Sequence, residues 1–306
     1  MRNLISTNDL TKETVEKLLA RSKKMEAQCK KGKVKKLLNG KIIASIFFEP
    51  STRTRLSFET AALRLGAQVI TAEDAGGNSS AQKGETIEDT ARILSSYADA
   101  IVIRHKEPGS LARAALTSNK PLINAGDGEH EHPSQGLLDL YTIQKEHGKL
   151  EDLTIAFVGD LKNSRTLHSL LPLLLMYKGN TFYFVSPKEQ SIPESYKGLL
   201  KEKNVTYFET ENLEDVLPKA DVLYMTRVQK ERFKDEAEYM KIKDRFLLNL
   251  GHTDFMKQNA IIMHPLPRVN ELDSAIDNDY RAAYFRQAEN GLYVRMAIFL
   301  YVFGIK

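Results

Sequence analysis

Hydroxyl and guanidinium side chains crowd one short stretch of the chain, residues 48–55 (FEPSTRTR). An apolar run typical of a buried strand precedes it, and a segment with helical periodicity follows, so that Ser51 or Thr52 can stand at the N-cap. The free N–H groups and positive dipole end of a helix's first turn bind anions. Hydroxyls from Ser51, Thr52 and Thr54 add donors, and Arg53 can hold a phosphate through two parallel hydrogen bonds. The stretch suits a phosphate site, with an ordinary helix cap and surface arginines as an equal alternative.

The loop 126–135 (GDGEHEHPSQ) is a second polar cluster. Its carboxylates and imidazoles are potential metal ligands, but alternate residues of one loop rarely converge on one ion. A polar loop that leads into a helix after Pro133 is the plainer interpretation. A third is that His132 and Gln135 offer neutral hydrogen-bond groups to a substrate carbonyl. Arg104 follows another predicted strand and can reach the same rim, although alone it is better explained as a surface arginine.

Arginines also follow strands in the second half of the chain. The turn 159–165 (GDLKNSR) contains a glycine but lacks the G-x-G-x-x-G pattern of dinucleotide sites. Arg165 opens the next helix and suits a carboxylate better than a nicotinamide cofactor. Residues 226–229 (TRVQ) and 264–268 (HPLPR) follow two further strands, and each is equally well explained as an ordinary loop.

The elements that must position these residues alternate along the chain, which favours parallel sheets flanked by helices. Strands are predicted at 42–48, 69–70, 100–103, 121–124, 154–158, 181–185, 205–208, 222–225 and 260–263. Helices are predicted at 52–65, 85–97, 110–116, 134–147, 165–176, 193–201, 213–217, 236–242 and 289–302. In the first helix, Leu56, Leu63 and the alanines Ala61 and Ala62 are the predicted inner face. Ligands of such folds bind beyond the carboxyl ends of the strands, which is where the polar clusters lie.

The length of 306 residues suits two α/β domains at roughly 100–200 residues each. The pattern restarts near residues 148–152, so we predict two doubly wound domains, 1–148 and 149–285, each a parallel sheet flanked by helices and joined by interdomain helices. A C-terminal helix within 286–306 is left over and is predicted to pack back on the first domain.

Composition excludes several classes of protein. Hydrophobic residues make up 42% of the chain, and a net charge of +4 with interleaved signs argues against a nucleic-acid partner. Cys29 is the only cysteine, which excludes disulfides within the chain and a thiolate zinc site. No apolar run reaches the roughly 20 residues that span a bilayer, and the N-terminus is not a signal peptide. We expect a soluble, cytoplasmic protein without a membrane partner.

Eight segments together carry a resemblance to a known family. They are residues 48–55, 83–86 (KGET), 102–105 (VIRH), 132–135 (HPSQ), 158–161 (VGDL), 165–169 (RTLHS), 225–229 (MTRVQ) and 263–268 (MHPLPR). Over nearly its whole length the chain resembles the aspartate carbamoyltransferase family. The S-T-R-T segment is shared by all carbamoyltransferases, and the last two segments indicate the aspartate branch.

The resemblance implies transfer of the carbamoyl group of carbamoyl phosphate to L-aspartate, an early step of de novo pyrimidine biosynthesis, without a metal or organic cofactor. It implies that Ser51, Thr52, Arg53 and Thr54 bind the phosphate. The carbamoyl group would be held by Arg104, His132 and Gln135, with Thr54 also in reach. Arg165, Arg227 and Gln229 would bind aspartate, and backbone groups at Pro265 and Leu266 would complete the site. The implied catalytic set is Arg53, Thr54, Lys83, Arg104, His132 and Gln135.

Ser79 and Lys83 resemble a pair that this family lends from a neighbouring subunit, with Ser80 as the alternate to Ser79. Lys83 would contact both substrates. The resemblance thus implies a homotrimer with shared active sites and an inactive monomer. The resemblance also allows a separate regulatory chain. The zinc domain of such regulatory chains would have to lie on that other polypeptide, because Cys29 is the only cysteine here.

Two rivals remain within this resemblance. The ornithine branch carries a His-Cys-Leu-Pro segment, whereas this chain has H-P-L-P at 264–267, and Arg227 is a poor neighbour for a cationic substrate. A catalytically silent scaffold subunit would have lost site residues, yet every matched position is filled.

Overall fold

The protein, in a computed structural model that describes residues 2–73, 84–227 and 246–305, divides into two compact units. The first unit comprises Met1–Tyr141, His168–Leu173 and Ala288–Lys306, and the second comprises Thr142–Leu167 and Leu174–Gln287. No helix within the described ranges is both long enough and apolar enough to cross a membrane.

The first unit holds a four-stranded sheet in which all neighbouring strands are parallel. Its strands are β1 (Ile42–Phe47), β2 (Gln68–Glu73), β3 (Ala100–His105) and β4 (Leu122–Asp127). Their order across the sheet is β2-β1-β3-β4. The chain therefore builds outward from β1 to one side and then resumes on the other side with β3. Open α/β sheets bind ligands at such a switch point, beyond the carboxyl ends of the two strands.

The second unit also holds an open parallel sheet, with five strands. They are β5 (Thr154–Val158), β6 (Thr181–Val185), β7 (Tyr207–Thr210), β8 (Val222–Met225) and β9 (Ile261–Met263). Their order is β7-β6-β5-β8-β9, which puts the switch point between β5 and β8. The two-domain α/β fold class with parallel sheets is thus confirmed, and each predicted strand overlaps an observed one.

Helices connect most of the successive strands, as crossovers between parallel strands usually do. Those of the described ranges are α1 (Lys12–Lys30), α2 (Thr52–Arg64), α3 (Ile87–Tyr97), α4 (Ser110–Thr117), α5 (Pro133–His147), α6 (Arg165–Leu174), α7 (Glu194–Glu202) and α8 (Tyr284–Val302). The helix predicted at 213–217 is wrong, because that segment forms turns in which the N–H of Val216 bonds to the carbonyl of Leu213. The helix predicted at 236–242 lies outside the described residues.

The inner face of α2 differs from the predicted one. Thr54, Phe58 and the alanines at 61 and 62 are buried, and their spacing follows one helical stripe. Leu56 and Leu63 are about half exposed, at 48% and 55%. Residues two apart stand about 200° apart around a helix, so the stripe that buries Phe58 turns Leu56 away.

The inner strands of both sheets are buried, as expected for parallel sheets covered by helices, whereas the edge strands β2 and β7 are largely exposed. In the second unit the ring of Phe157 stacks on those of Phe182 and Phe184 at centroid distances of 6.4 and 6.0 Å. All three side chains are at most 1% exposed. Such rigid packing fixes the strand ends from which the polar loops emerge.

Candidate functional site

The start of α2 presents backbone donors that its own side chains leave unused. Ser51 occupies the N-cap position, yet its hydroxyl makes no capping hydrogen bond. At α1 the Thr11 hydroxyl accepts from the N–H of Thr14, and at α3 the Thr86 hydroxyl accepts from that of Asp89. The first turn of a helix has no intrahelical partners for its N–H groups. Since no described side chain caps those of α2, they are suited to bind an anion.

Arg53 and Arg55, two residues apart on α2, have different environments. The Arg55 guanidinium lies 2.7 Å from the Glu73 carboxylate and 3.6 Å from that of Glu59. The Arg53 side chain is exposed and forms no hydrogen bond or ion pair with any residue that the structure describes. Partial desolvation lowers the pKa of Arg53, although a guanidinium keeps its charge at neutral pH. The Arg53 guanidinium is thus the cation of this segment that is available to bind a phosphate.

Thr54 joins the helix start to the loop that precedes α5. Its hydroxyl lies 3.4 Å from Nε2 of His132, and both side chains are buried. The backbone N–H of His132 donates to the Ser169 hydroxyl at 2.7 Å, which fixes the loop. The structure therefore brings together two of the residues expected to touch the carbamoyl group.

Arg104 is buried rather than a surface arginine, at 8% exposure. It lies in β3 opposite Phe47, and its Nε and Nη2 approach the same carboxylate oxygen of Glu49 at 2.8 and 2.7 Å. A side chain at Gly126 would contact the Arg104 guanidinium at 3.4 Å. Glu49 and Gly126 therefore hold the guanidinium at the switch point of the first sheet.

Gln135, in the first turn of α5, is 9% exposed. Its Nε2 donates to Oδ1 of Asp139 at 2.8 Å, one helical turn further on. This bond uses one of the two amide hydrogens. The carbonyl oxygen and the second amide hydrogen are not engaged by it.

Two of the three carboxylates of the loop 126–135, Asp127 and Glu131, accept hydrogen bonds from protein donors. Asp127 accepts from the backbone of Gly109 and faces the hydroxyl of Ser110, which holds the start of α4. Glu131 accepts from the backbone N–H of Thr7 at 2.8 Å and so anchors the N-terminal segment. Within the described ranges no group of three or more histidine, cysteine or carboxylate side chains is placed to hold a metal ion. These bonds give Asp127 and Glu131 structural roles in place of the metal ligation that their side chains could have offered.

Arg165 and Arg227 follow the two strands at the switch point of the second sheet, where Val158 of β5 pairs with Met225 of β8. Thr226 ties the strand ends together, because its N–H donates to the Val158 carbonyl at 2.8 Å and its hydroxyl donates to the same oxygen at 2.9 Å. Gly159 lies so close that an added Cβ would meet the Thr226 carbonyl oxygen at 2.3 Å.

The loop after β9 is shaped by a buried histidine–glutamate pair. Nδ1 of His264 accepts from the N–H of Leu266, so Nε2 carries the proton and donates to Glu271 at 2.8 Å. Burial alone would raise the pKa of Glu271, but the bonds from His264 and from the Val269 N–H lower it overall. The Leu266 N–H is used and Pro265 has none. The carbonyl oxygens at these two positions accept no hydrogen bond from the described residues, and carbonyl oxygens accept hydrogen bonds from amines.

Four residues expected at the site lie outside the described residues. They are Ser79, its alternate Ser80, Lys83 and Gln229. Their assigned roles stay predictions.

Sequence reasoning missed three residues that orient the site, namely Glu49, Asp139 and Glu271. Asp139 could have been found, because Gln and Asp four residues apart on a helix form a recognised hydrogen-bonding pair. Glu49 lies within the segment 48–55, but nothing in the sequence indicates that its partner is Arg104. Glu271 follows a proline-rich loop without any periodic signal.

Comparisons with known proteins agree with this geometry. A family described as "Aspartate/ornithine carbamoyltransferase, carbamoyl-P binding domain" matches residues 2–145. A second, described as "Aspartate/ornithine carbamoyltransferase, Asp/Orn binding domain", matches residues 151–302.

Similar whole proteins include the aspartate carbamoyltransferase catalytic subunit of Clostridium novyi, which is 47% identical over 305 residues, covering 100% of this chain and 99% of that protein. Among solved structures, the catalytic subunit of M. jannaschii aspartate transcarbamoylase superposes with a TM-score of 0.92 at 48% identity, covering 99% of this chain and 98% of that one. Aspartate transcarbamoylase from Trypanosoma cruzi, in complex with carbamoyl phosphate and aspartate, superposes with a TM-score of 0.91 at 38% identity, covering 97% and 95% of the two chains.

Proposed function

The chain belongs to the aspartate/ornithine carbamoyltransferase family, and from this premise we propose that it is an aspartate carbamoyltransferase. It transfers the carbamoyl group of carbamoyl phosphate to the amine of L-aspartate, giving N-carbamoyl-L-aspartate and phosphate, an early step of pyrimidine biosynthesis. The observation that carries the proposal is the uncapped start of α2, with Thr54 next to His132 and with Arg53, which pairs with no residue of the described ranges, beside it.

Carbamoyl phosphate binds through the first unit. The free N–H groups of the first turn of α2, the hydroxyls of Ser51 and Thr52, and the Arg53 guanidinium take the phosphate oxygens. Thr54, Arg104 and His132 face the carbamoyl oxygen, and Gln135 completes the contacts of this group. The three anionic phosphate oxygens match the donor-rich character of the helix start.

The reaction needs no protein nucleophile. The aspartate nitrogen attacks the carbamoyl carbon, a C–N bond forms, and the bond from that carbon to the phosphate oxygen then breaks. Negative charge develops on the carbamoyl oxygen, where Arg104, His132 and Thr54 stabilise it. The leaving phosphate accepts the proton that the amine loses. Because phosphate is a good leaving group already held by cations, the step needs no metal or organic cofactor.

Aspartate binds through the second unit. Arg165 and Arg227 pair with its two carboxylates, with Gln229 as a further contact, and bidentate guanidinium–carboxylate pairing gives this binding its orientation. The carbonyl oxygens at Pro265 and Leu266 accept hydrogen bonds from amine groups of the substrates. Two arginines also disfavour the cationic side chain of ornithine.

The assembly is part of the proposal. Ser79 and Lys83 of one subunit complete the site of the next in a homotrimer, and Lys83 contacts both substrates. The notion of a regulatory chain as a further partner and that of a cytoplasmic location stay predictions.

The test is carbamoylation with carbamoyl phosphate as donor and with aspartate and ornithine as parallel acceptors. We expect N-carbamoyl-aspartate and no citrulline. Citrulline formation would keep the phosphate site but contradict the roles of Arg165 and Arg227. A folded protein that carbamoylates neither acceptor would favour the silent scaffold subunit.

A further inference from the structure

The bond between Gln135 and Asp139 sets the direction of the Gln135 amide. Asp139 is completely buried, and a carboxylate only accepts hydrogen bonds. The amide must therefore turn its NH2 end toward Asp139, as the 2.8 Å distance between Nε2 and Oδ1 shows. Turning the amide over would set two oxygens against each other in a buried place, which is costly. Its carbonyl end is thereby directed away from Asp139.

A second buried charge supports this arrangement from α8. Arg295 is 3% exposed, and its guanidinium lies 5.0 Å from the centre of the Phe58 ring. Burial lowers the pKa of Arg295 to about 9, and the charge of Asp139 opposes that shift. Arg295 is therefore a cation at neutral pH that stabilises negative charge on Asp139.

Gly291 leaves space for the Arg295 guanidinium. A Cβ added to Gly291, one turn before Arg295 on α8, would lie 2.3 Å from the guanidinium and 3.2 Å from the Leu138 side chain. Leu138 stands next to Asp139, so α8 and α5 approach each other closely here. The pair of charges is thus built into the packing of two helices.

A fixed carbonyl suits one kind of acyl donor. The carbamoyl group carries an NH2, whose hydrogens need acceptors, whereas the acetyl group has a methyl in that place. A site built around a hydrogen bond rejects an analogue that lacks the partner more strongly than an apolar site does.

We propose that Asp139 is a positioning residue that holds the Gln135 carbonyl toward the substrate and so selects acyl phosphates bearing an amino group over their methyl counterparts. The inference rests on the proposed function, because it takes Gln135 as a contact of the carbamoyl group. The substrate class is an acyl phosphate with N–H donors on the transferred carbon.

The experiment compares dissociation constants of carbamoyl phosphate and acetyl phosphate for the full chain and for Asp139→Asn. An asparagine can donate as well as accept, so the Gln135 amide is no longer held in one direction. Carbamoyl phosphate affinity should fall about tenfold, equivalent to ~1.4 kcal/mol, while that of acetyl phosphate changes less than about twofold because it makes no such bond. Equal losses for both ligands, or no loss for either, would overturn the proposal.

A rescue variant separates positioning from a purely structural role. Gln135→Glu combined with Asp139→Asn keeps one carboxylate and one amide but reverses the hydrogen bond between them, so an acceptor again faces outward. The preference for carbamoyl phosphate should return to within about threefold of the starting value. Moving the negative charge from position 139 to position 135 weakens the binding of both ligands alike, so this effect cancels in the ratio of dissociation constants. A folded double variant without the preference contradicts the proposal, and so does failure of both variants to fold.

The matched control is Asp127→Asn, the same substitution at another buried aspartate of the first unit. It should lower the melting temperature, since Asp127 holds the start of α4, and leave the ratio of dissociation constants unchanged. Aspartate carbamoylation by the unmodified chain is measured in parallel. Its absence would refute the proposed function, whereas the binding ratio would still test Asp139.

Discussion

Three arginines of the first unit share a side chain but not an environment. Arg55 is held by the carboxylates of Glu59 on its own helix and of Glu73 on β2, and Arg104 is buried against Glu49. Arg53 alone of these three forms no ion pair with the part of the chain that the structure describes. An arginine without an internal partner can be removed with little loss of folding free energy, so its removal isolates its effect on a ligand.

Arg53→Ala should lower kcat/KM for carbamoylation by about 10²–10³-fold, the usual cost of removing a donor to transition-state charge. The midpoint of urea unfolding should hardly move, because surface substitutions usually change stability by less than about 0.5 kcal/mol. Steady-state kinetics and urea titration measure both quantities.

The control for this prediction is Arg64→Ala, in the last turn of the same helix. It removes an exposed arginine of α2 far from the first turn, and we expect unchanged kinetics. Near-normal turnover of Arg53→Ala would contradict the assigned phosphate contact.

Residue types and their place after strands were enough to find these side chains, but not to find what each one touches. Nothing in the sequence separates Arg53 from Arg55, because both follow the same motif. The pairing of Arg104 with Glu49 depends on β1 and β3 being neighbours, and that is a tertiary fact. The hydrogen bond from Gln135 to Asp139 is local. The two residues are four apart on a predicted helix, so the bond can be predicted from the sequence.

At the scale of elements, both sheets place their polar loops at the switch point. Apolar, β-rich runs predicted each observed strand, because the inner parallel strands are near-continuous apolar runs and even the exposed edge strands β2 and β7 hold short ones. The predicted type of short segments was less certain. The spacing of Leu213, Val216 and Leu217 fits a helix, yet successive turns bury these three side chains equally well. The strand order that creates the switch points needs the folded chain.

The uncapped start of α2 makes a prediction about Ser51. Ser51→Ala should change the free energy of unfolding by less than about 0.5 kcal/mol, whereas Thr11→Ala, which removes a formed cap, should cost about 1 kcal/mol. Phosphate affinity should show the reverse order and fall only for Ser51→Ala. Denaturant titration and competition by inorganic phosphate distinguish the two helices. A loss of stability at Ser51 as large as that at Thr11 would mean that its hydroxyl caps α2 in solution.

Gly159 makes a prediction for the second unit. Its φ is +115° and an added Cβ would meet the Thr226 carbonyl, so Gly159→Ala should destabilise the protein by ~2 kcal/mol or more and raise the KM for aspartate. Gly198→Ala is the control, because nothing lies within 4 Å of that position on α7. It should stabilise by about 0.5–1 kcal/mol, as alanine favours a helix interior. Equal effects of the two variants on stability and KM would contradict this account.

For the whole molecule, each unit carries the proposed residues for one of the two substrates. The proposed trimer adds Lys83 from a neighbouring subunit to this division. A site assembled from two chains can be restored by mixing chains that are each defective in a different contribution.

Lys83→Ala and Arg53→Ala chains should each retain at most about 1% of wild-type activity alone. Their mixture, dissociated and reassembled, should regain up to about one third of wild-type activity if sites are shared in a trimer. Mixed assembly is verified by mass spectrometry of the intact oligomer. Mixed trimers without activity would place both residues in the site of one subunit.

The uncapped first turn of α2 has a consequence for the lifetime of the protein. If a phosphate group accepts the hydrogen bonds that the Ser51 hydroxyl does not, the ligand acts as the cap of α2. Whenever it is bound, the folded state is stabilised. At a phosphate concentration one hundred times the dissociation constant, this gain is about 2.7 kcal/mol. Resistance to heat and to proteolysis would then rise and fall with the supply of the compound that the enzyme consumes, so that starved enzyme is also the enzyme most readily degraded.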